Sequence, residues 1–95
     1  MLTAEASVSI STPARYMGRL CKHFAHRVAV HQEADRARIE FPGAPCSLRA
    51  DAERLEMRLE AEDAATLERL QEVVTRHLKQ VAPGEQFEVS WHVTQ

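Results

Sequence analysis

Between residues 54 and 81 the hydrophobic period of the chain switches, and that switch restricts the fold more than any other feature. In "RLEMRLEA", Leu55, Met57, Leu59 and Ala61 alternate with Arg54, Glu56, Arg58 and Glu60. Only an extended strand sends every second side chain to one side, so this segment reads as a strand with one apolar and one charged face. Shortly after it, Leu67, Leu70, Gln71, Val74, Leu78 and Val81 recur every three or four positions. That spacing is the single stripe of an amphipathic helix. Asp63 stands where the helix needs an N-cap, and Pro83-Gly84 stops it. A one-faced strand leading into a one-striped helix calls for a layer of sheet covered by a layer of helix.

The remaining segments fit that frame. "ASVSI" at 6–10 alternates as a half-buried strand does. Ser11-Thr12-Pro13 opens a helix, with Thr12 as the cap and Pro13 at the first position, where no N–H is required. Tyr16, Met17, Leu20, Cys21 and Phe24 give that helix one apolar stripe over about residues 13–26. Val28 and Val30 open a second strand, and Ala37, Ile39 and Phe41 share a face in the next. Pro42-Gly43-Ala44-Pro45 is a loop, followed by an inner face of Cys46, Leu48 and Ala50. At the end Phe87, Val89, Trp91 and Val93 alternate with Glu88, Ser90, His92 and Thr94, which predicts a final strand with Trp91 as a core anchor. The expected fold is α+β, a two-layer sandwich of order β-α-β-β-β-β-α-β. Its sheet is mostly antiparallel, with two helices on one face, and residues 1–95 make a single domain. The other sheet face would carry Arg38, Glu40, Arg49, Glu56, Arg58, Glu88 and His92 and would be wet, with a binding or dimer surface as the alternative.

Composition narrows the partners. The 12 basic and 14 acidic residues leave a formal charge of −2 without a block of either sign, so neither nucleic acid nor an anionic membrane is expected. No apolar run reaches the ~20 residues of a membrane span. The start, Met1-Leu2-Thr3-Ala4-Glu5, has neither a basic nor an apolar leader region, and the expected location is the cytoplasm. Cys21 and Cys46 are then expected as reduced thiols.

Chemistry concentrates in "RLCKHFAHRV", residues 19–28. At ~100° per helical residue, Cys21 and His23 point nearly opposite ways, whereas His23 and His26 can share a face. Cys21 therefore reads as a small core residue. His77 flanks the stripe of the second helix as His23 flanks that of the first. If the helices are neighbours, His23 and His77 could meet in the groove between them with His26 nearby, a credible donor set for zinc or iron. The plainer alternative is that each histidine hydrogen-bonds a carbonyl or complements the negative end of its helix. No catalytic residues suggest themselves. The glycines at 18, 43 and 84 form no phosphate loop, no C-x-x-C pair exists, and no carboxylate pair stands out. An enzyme is the lowest-ranked class.

"RYMGRLCKHFAHRV" resembles the opening motif of the bacterial domain-of-unknown-function family 2218. The matching residues are Pro13, Ala14, Arg15 and Tyr16, then His23, Phe24, His26 and Arg27. "RARIEF", "LEMRLEAEDAATLERLQEVVTRHL" and the closing strand with Trp91 are similar too, so the likeness spans nearly the whole chain. The resemblance implies no defined activity. It does imply an association with iron handling, since such domains also occur fused to siderophore-interacting proteins. The chain departs from the family after His77-Leu78, where Lys79-Gln80-Val81-Ala82-Pro83-Gly84 replaces an aromatic and charged segment. The expectation is a binding or accessory domain that takes a metal, a ferric chelate or a small ligand at His23, His26 and His77. Arg15 and Arg19 would attract an anionic chelate. The alternative is a non-catalytic interaction module, a homodimer built on the outer sheet face or on "FEVSWHV" as an edge strand.

Overall fold

The computed structural model describes residues 1–95. Its elements are β1 (Leu2–Ser9), α1 (Pro13–Phe24), β2 (Val30–Gln32), β3 (Arg36–Ile39), β4 (Cys46–Ala50), β5 (Arg54–Ala61), α2 (Ala64–Val81) and β6 (His92–Thr94). The architecture is α+β. The strands form one six-stranded sheet in the order β2-β3-β4-β5-β1-β6, and every pairing is antiparallel. Strands β2 to β5 follow each other through short turns, which is why neighbours in sequence are neighbours in the sheet.

The alternation at 54–61 becomes β5, paired with β1 from Leu2↔Ala61 to Ser9↔Arg54 and with β4 from Cys46↔Leu59 to Ala50↔Leu55. Leu55, Met57, Leu59 and Ala61 are buried beneath the helices beside Ala4, Ala6 and Val8 of β1. The opposite face is charged and exposed. It sets Glu5 opposite Arg58 and Arg49 opposite Glu56, and it carries the Arg38–Glu40 ion pair at 2.8 Å. No charged or polar residue is buried. No helix is long and apolar enough to cross a membrane.

Two Pro-Gly pairs set the turns around the helices. The amide of Ala44 donates to Phe41 O at 3.0 Å and that of Glu85 to Ala82 O at 3.2 Å. Gly43 and Gly84, third in each four-residue turn, have φ of 77° and 86°. A type II turn needs proline second and positive φ third, a combination that Pro-Gly supplies without strain. The second turn presents the Glu85 carboxylate to Ser11 Oγ at 2.8 Å and to the Tyr16 hydroxyl at 3.0 Å.

The structure differs from expectation at several boundaries. Strand β1 starts at Leu2 instead of residue 6, because its eight-residue partner β5 extends the ladder that far and the small residues of "TAEA" conceal the alternation. Helix α1 ends at Phe24, two residues short of the expected end. A turn follows, in which Val28 N still donates to Phe24 O at 3.0 Å, and β2 begins only at Val30. The expected last strand shrinks to His92–Thr94. Phe87, Val89 and Trp91 are half-buried and pack on the core as a strap without a ladder partner. Trp91 is held at α2 by donating its indole N–H to Thr75 Oγ1 at 2.9 Å. Alternation reports which side chains are buried, and a strap can satisfy it as well as a strand.

The caps divide likewise. Asp63 is the N-cap of α2, accepting from Thr66 N at 2.7 Å. Thr12 is not a side-chain cap: it sits at φ 44°, ψ 60° and its hydroxyl makes no capping bond. Its left-handed backbone carries a branched side chain that disfavours it by about 1–2 kcal/mol. Thr12→Gly is therefore expected to raise stability by up to ~1 kcal/mol in urea denaturation. Had Thr12 capped the helix through its side chain, the same substitution would lower stability.

Candidate functional site

The two helices lie side by side and run in opposite directions. Tyr16 reaches Glu85, Arg19 donates to Val81 O at 3.2 Å, and the rings of His23 and His77 lie with centroids 4.7 Å apart. Helix α1 stops at Phe24, one residue past His23, whereas the first half of α2 continues beyond it without an opposing helix. The space left there is an open groove of about 720 Å³.

Its floor is aromatic. Phe24 packs edge-on against Phe41 with centroids 4.8 Å apart, and against the ring of His77 at 5.0 Å. Leu70 and Val73 of α2, with Val28 of the turn, complete the apolar lining. The polar lining is Arg27, Arg69, Arg76, the three histidines His23, His26 and His77, and Gln80. No carboxylate is among the lining residues, and none of the ion pairs in the molecule involves Arg27, Arg69 or Arg76.

Each side chain arrives there for a local reason. Arg69, Val73, Arg76 and His77 lie at i, i+4, i+7 and i+8 of α2, one stripe of its surface. His77 Nδ1 lies 2.6 Å from Val73 O, one turn back. A carbonyl only accepts, so Nδ1 carries a proton. His23, the last residue but one of α1, and His26 and Arg27, in the following turn, surround the negative end of the α1 dipole, which favours cations there. His23 is held below the ordinary histidine value, first by loss of water on packing and then by repulsion from His77, His26 and Arg27.

The structure thus brings His23 and His77 ring to ring and sets His26 on the same groove. The three do not make the zinc or iron donor set that their types suggested: no group of three or more His, Cys, Asp or Glu is arranged to hold a metal ion. Arg15 and Arg19 lie elsewhere. Both are exposed, and Arg19 is placed over the Tyr16 ring, 5.5 Å from its centroid. Sequence reasoning did not place Arg69 and Arg76 at the site, and it named Arg27 only among the residues that carry the family resemblance. The spacing of Arg69 and Arg76 around His77 was visible, but it acquires meaning only once α1 is known to end opposite His77.

Nucleophilic chemistry finds no support at the cysteines. Cys21 and Cys46 are free and buried, and burial pushes their thiols up to about 11 and about 12, the second also raised by its proximity to Cys21. Neither is expected to react with a thiol reagent at neutral pH until the protein is unfolded, when both should react. For His77, long-range nitrogen–proton NMR is expected to show the Nδ1-protonated tautomer. A dominant Nε2–H form would contradict the bond to Val73.

Comparison with known proteins adds a family and a fold. The family described as "Uncharacterized protein conserved in bacteria (DUF2218)" matches residues 5–92. The solved structure titled "NMR structure of PA4090 from Pseudomonas aeruginosa" superposes with a TM-score of 0.81 at 34% identity, covering 97% of this chain and 96% of that one. "De novo designed protein Foldit4" covers 99% of this chain and 98% of its own at a TM-score of 0.51 and 20% identity, a likeness of fold alone. No curated protein matches. With a family match over nearly its whole length and a solved relative of the same fold, the chain belongs to DUF2218, a family of uncharacterised bacterial proteins.

Proposed function

We propose that this protein is a non-catalytic binding domain for a small organic anion, seated in the groove beside the end of α1. One observation carries the reading. A molecule with net charge −2 gathers three unpaired arginines and three of its five histidines around an aromatic floor, with no carboxylate among them. An apolar floor contributes affinity by shedding water, and guanidinium groups supply charge-assisted hydrogen bonds to carboxylate, sulfonate or phosphate oxygens. The same surroundings repel a bare cation, because each guanidinium keeps its charge at every accessible pH. A negatively charged ferric chelate belongs to the class this groove suits. A free metal ion does not.

The proposal is tested with anilinonaphthalene sulfonate, an aromatic anion whose fluorescence reports its transfer out of water. The folded protein is expected to bind it, more weakly as salt screens the arginines. Arg76→Ala or Arg69→Ala, whichever of the two holds the single sulfonate, should weaken binding by about tenfold, the effect of losing one charge-assisted hydrogen bond. Arg15→Ala, away from the groove, should leave binding unchanged. Equal affinity in all three variants would overturn the reading.

Binding should also depend on pH. His23 resists protonation in the free protein, so it is mostly neutral at pH 7 and becomes charged only below the ordinary value of 6.5. A bound anion stabilises the charged ring, so affinity is expected to rise as pH falls below 6.5, with proton uptake on binding. His23→Ala should flatten the rise. Without ligand the sign reverses. The unfolded chain takes the proton first, so His23 lowers folding stability as pH falls through 6.5 towards its own depressed value.

A further inference from the structure

We infer that the groove takes an elongated anion with a negative group at each end and an apolar middle, and not a molecule with a single charged head. This rests on the anion-binding reading above and narrows the ligand class.

Position along α2 supplies the argument. Seven residues separate Arg69 from Arg76, which places them on the same face of the helix about 10 Å apart along its axis. Between them the lining is Leu70 and Val73, both apolar. The floor opposite is the Phe24–Phe41 pair, which has no polar atom in its side chains. Arg69 and Arg76 therefore mark the two ends of this apolar strip. At one end Arg76 adjoins His77, against which the ring of His23 rests. At the other, Arg69 lies near the turn at Pro42-Gly43, which approaches α2 one turn earlier, at Thr66. A single anionic head would pair with one arginine and leave the other to water. An anion with two ends and a hydrocarbon or aromatic centre matches the order cation, apolar, cation.

The test is a ladder of straight-chain α,ω-dicarboxylates from succinate to dodecanedioate, each compared with the monocarboxylate of equal carbon number. Affinities are read by displacement of anilinonaphthalene sulfonate and by calorimetry. Affinity for the diacids should peak where the carboxylates lie about 10 Å apart. At that length the diacid should exceed its monoacid by roughly tenfold, one further charge-assisted contact. Arg69→Gln and Arg76→Gln should each abolish the advantage of the diacid while leaving the monoacid bound. Both side chains are exposed, and an unchanged melting temperature would confirm that the variants fold. If diacids and monoacids bind alike at every length, or the advantage survives loss of either arginine, the two-ended ligand is wrong while anion binding stands. If neither the acids nor the fluorescent sulfonate binds, both inferences fail together.

Discussion

The rest of the structure depends on the pairing of β5 with both of its neighbours. All eight of its residues have partners in β1, and those from Leu55 to Leu59 are also paired with β4, so it lies inside the sheet. Its alternation serves two purposes. Leu55, Met57, Leu59 and Ala61 supply the surface on which both helices rest, while Arg54, Glu56 and Arg58 remain in water. A slip of one residue would exchange these faces and place three or four charges under the helices, so the register is held by the cost of burying charge. Outer-face contacts reinforce it, among them Ser7 donating to Glu56 at 3.0 Å and Arg54 donating to Ser7 at 3.2 Å.

The groove follows from a mismatch in the layer above. At 1.5 Å per residue, the 18 residues of α2 outrun the 12 of α1 by about 9 Å. Because the helices are antiparallel and held together near the end of α2, by Tyr16 on Glu85 and Arg19 on Val81, the excess falls beside the first half of α2. Nothing helical covers that half. The turn at 25–28 and the Phe41–Pro42 turn wall the gap without filling it, and the cations on its rim need no partner because they face water. Part of this charge has a structural duty, since Arg27 complements the α1 dipole. Arg69 and Arg76 belong to the other helix and do not cap the end of α1.

Legibility in the sequence varied with the kind of signal. Long apolar periods were reliable: β5, α2 and the stripe of α1 lie where their spacing puts them, and Asp63 caps α2 as its position implied. Short or mixed signals were less so. Ser-Thr-Pro looked like a side-chain cap, yet the backbone of Thr12 turns left-handed and its hydroxyl makes no capping bond. The alternation after Phe87 looked like a full strand and proved largely a strap. At the site, the sequence suggested that His23 and His77 would meet, but it offered Arg15 and Arg19 as the cationic partners. Those two lie one turn apart on α1 and do not line the groove; the arginines that do come from the other helix and the turn.

By itself, then, the sequence determined which side chains are buried and what kind of element buries them, because the periods of two and 3.6 are properties of the local backbone. It therefore specified an α+β sandwich with two helices on one sheet face, a core containing Cys21 and Cys46, and a charged outer surface. Only the tertiary structure decided where α1 ends relative to α2, and with it the groove, its aromatic floor and the set of cations around it. Those depend on the lengths, directions and offset of two helices distant in sequence that meet only on folding, and no local period encodes such an offset.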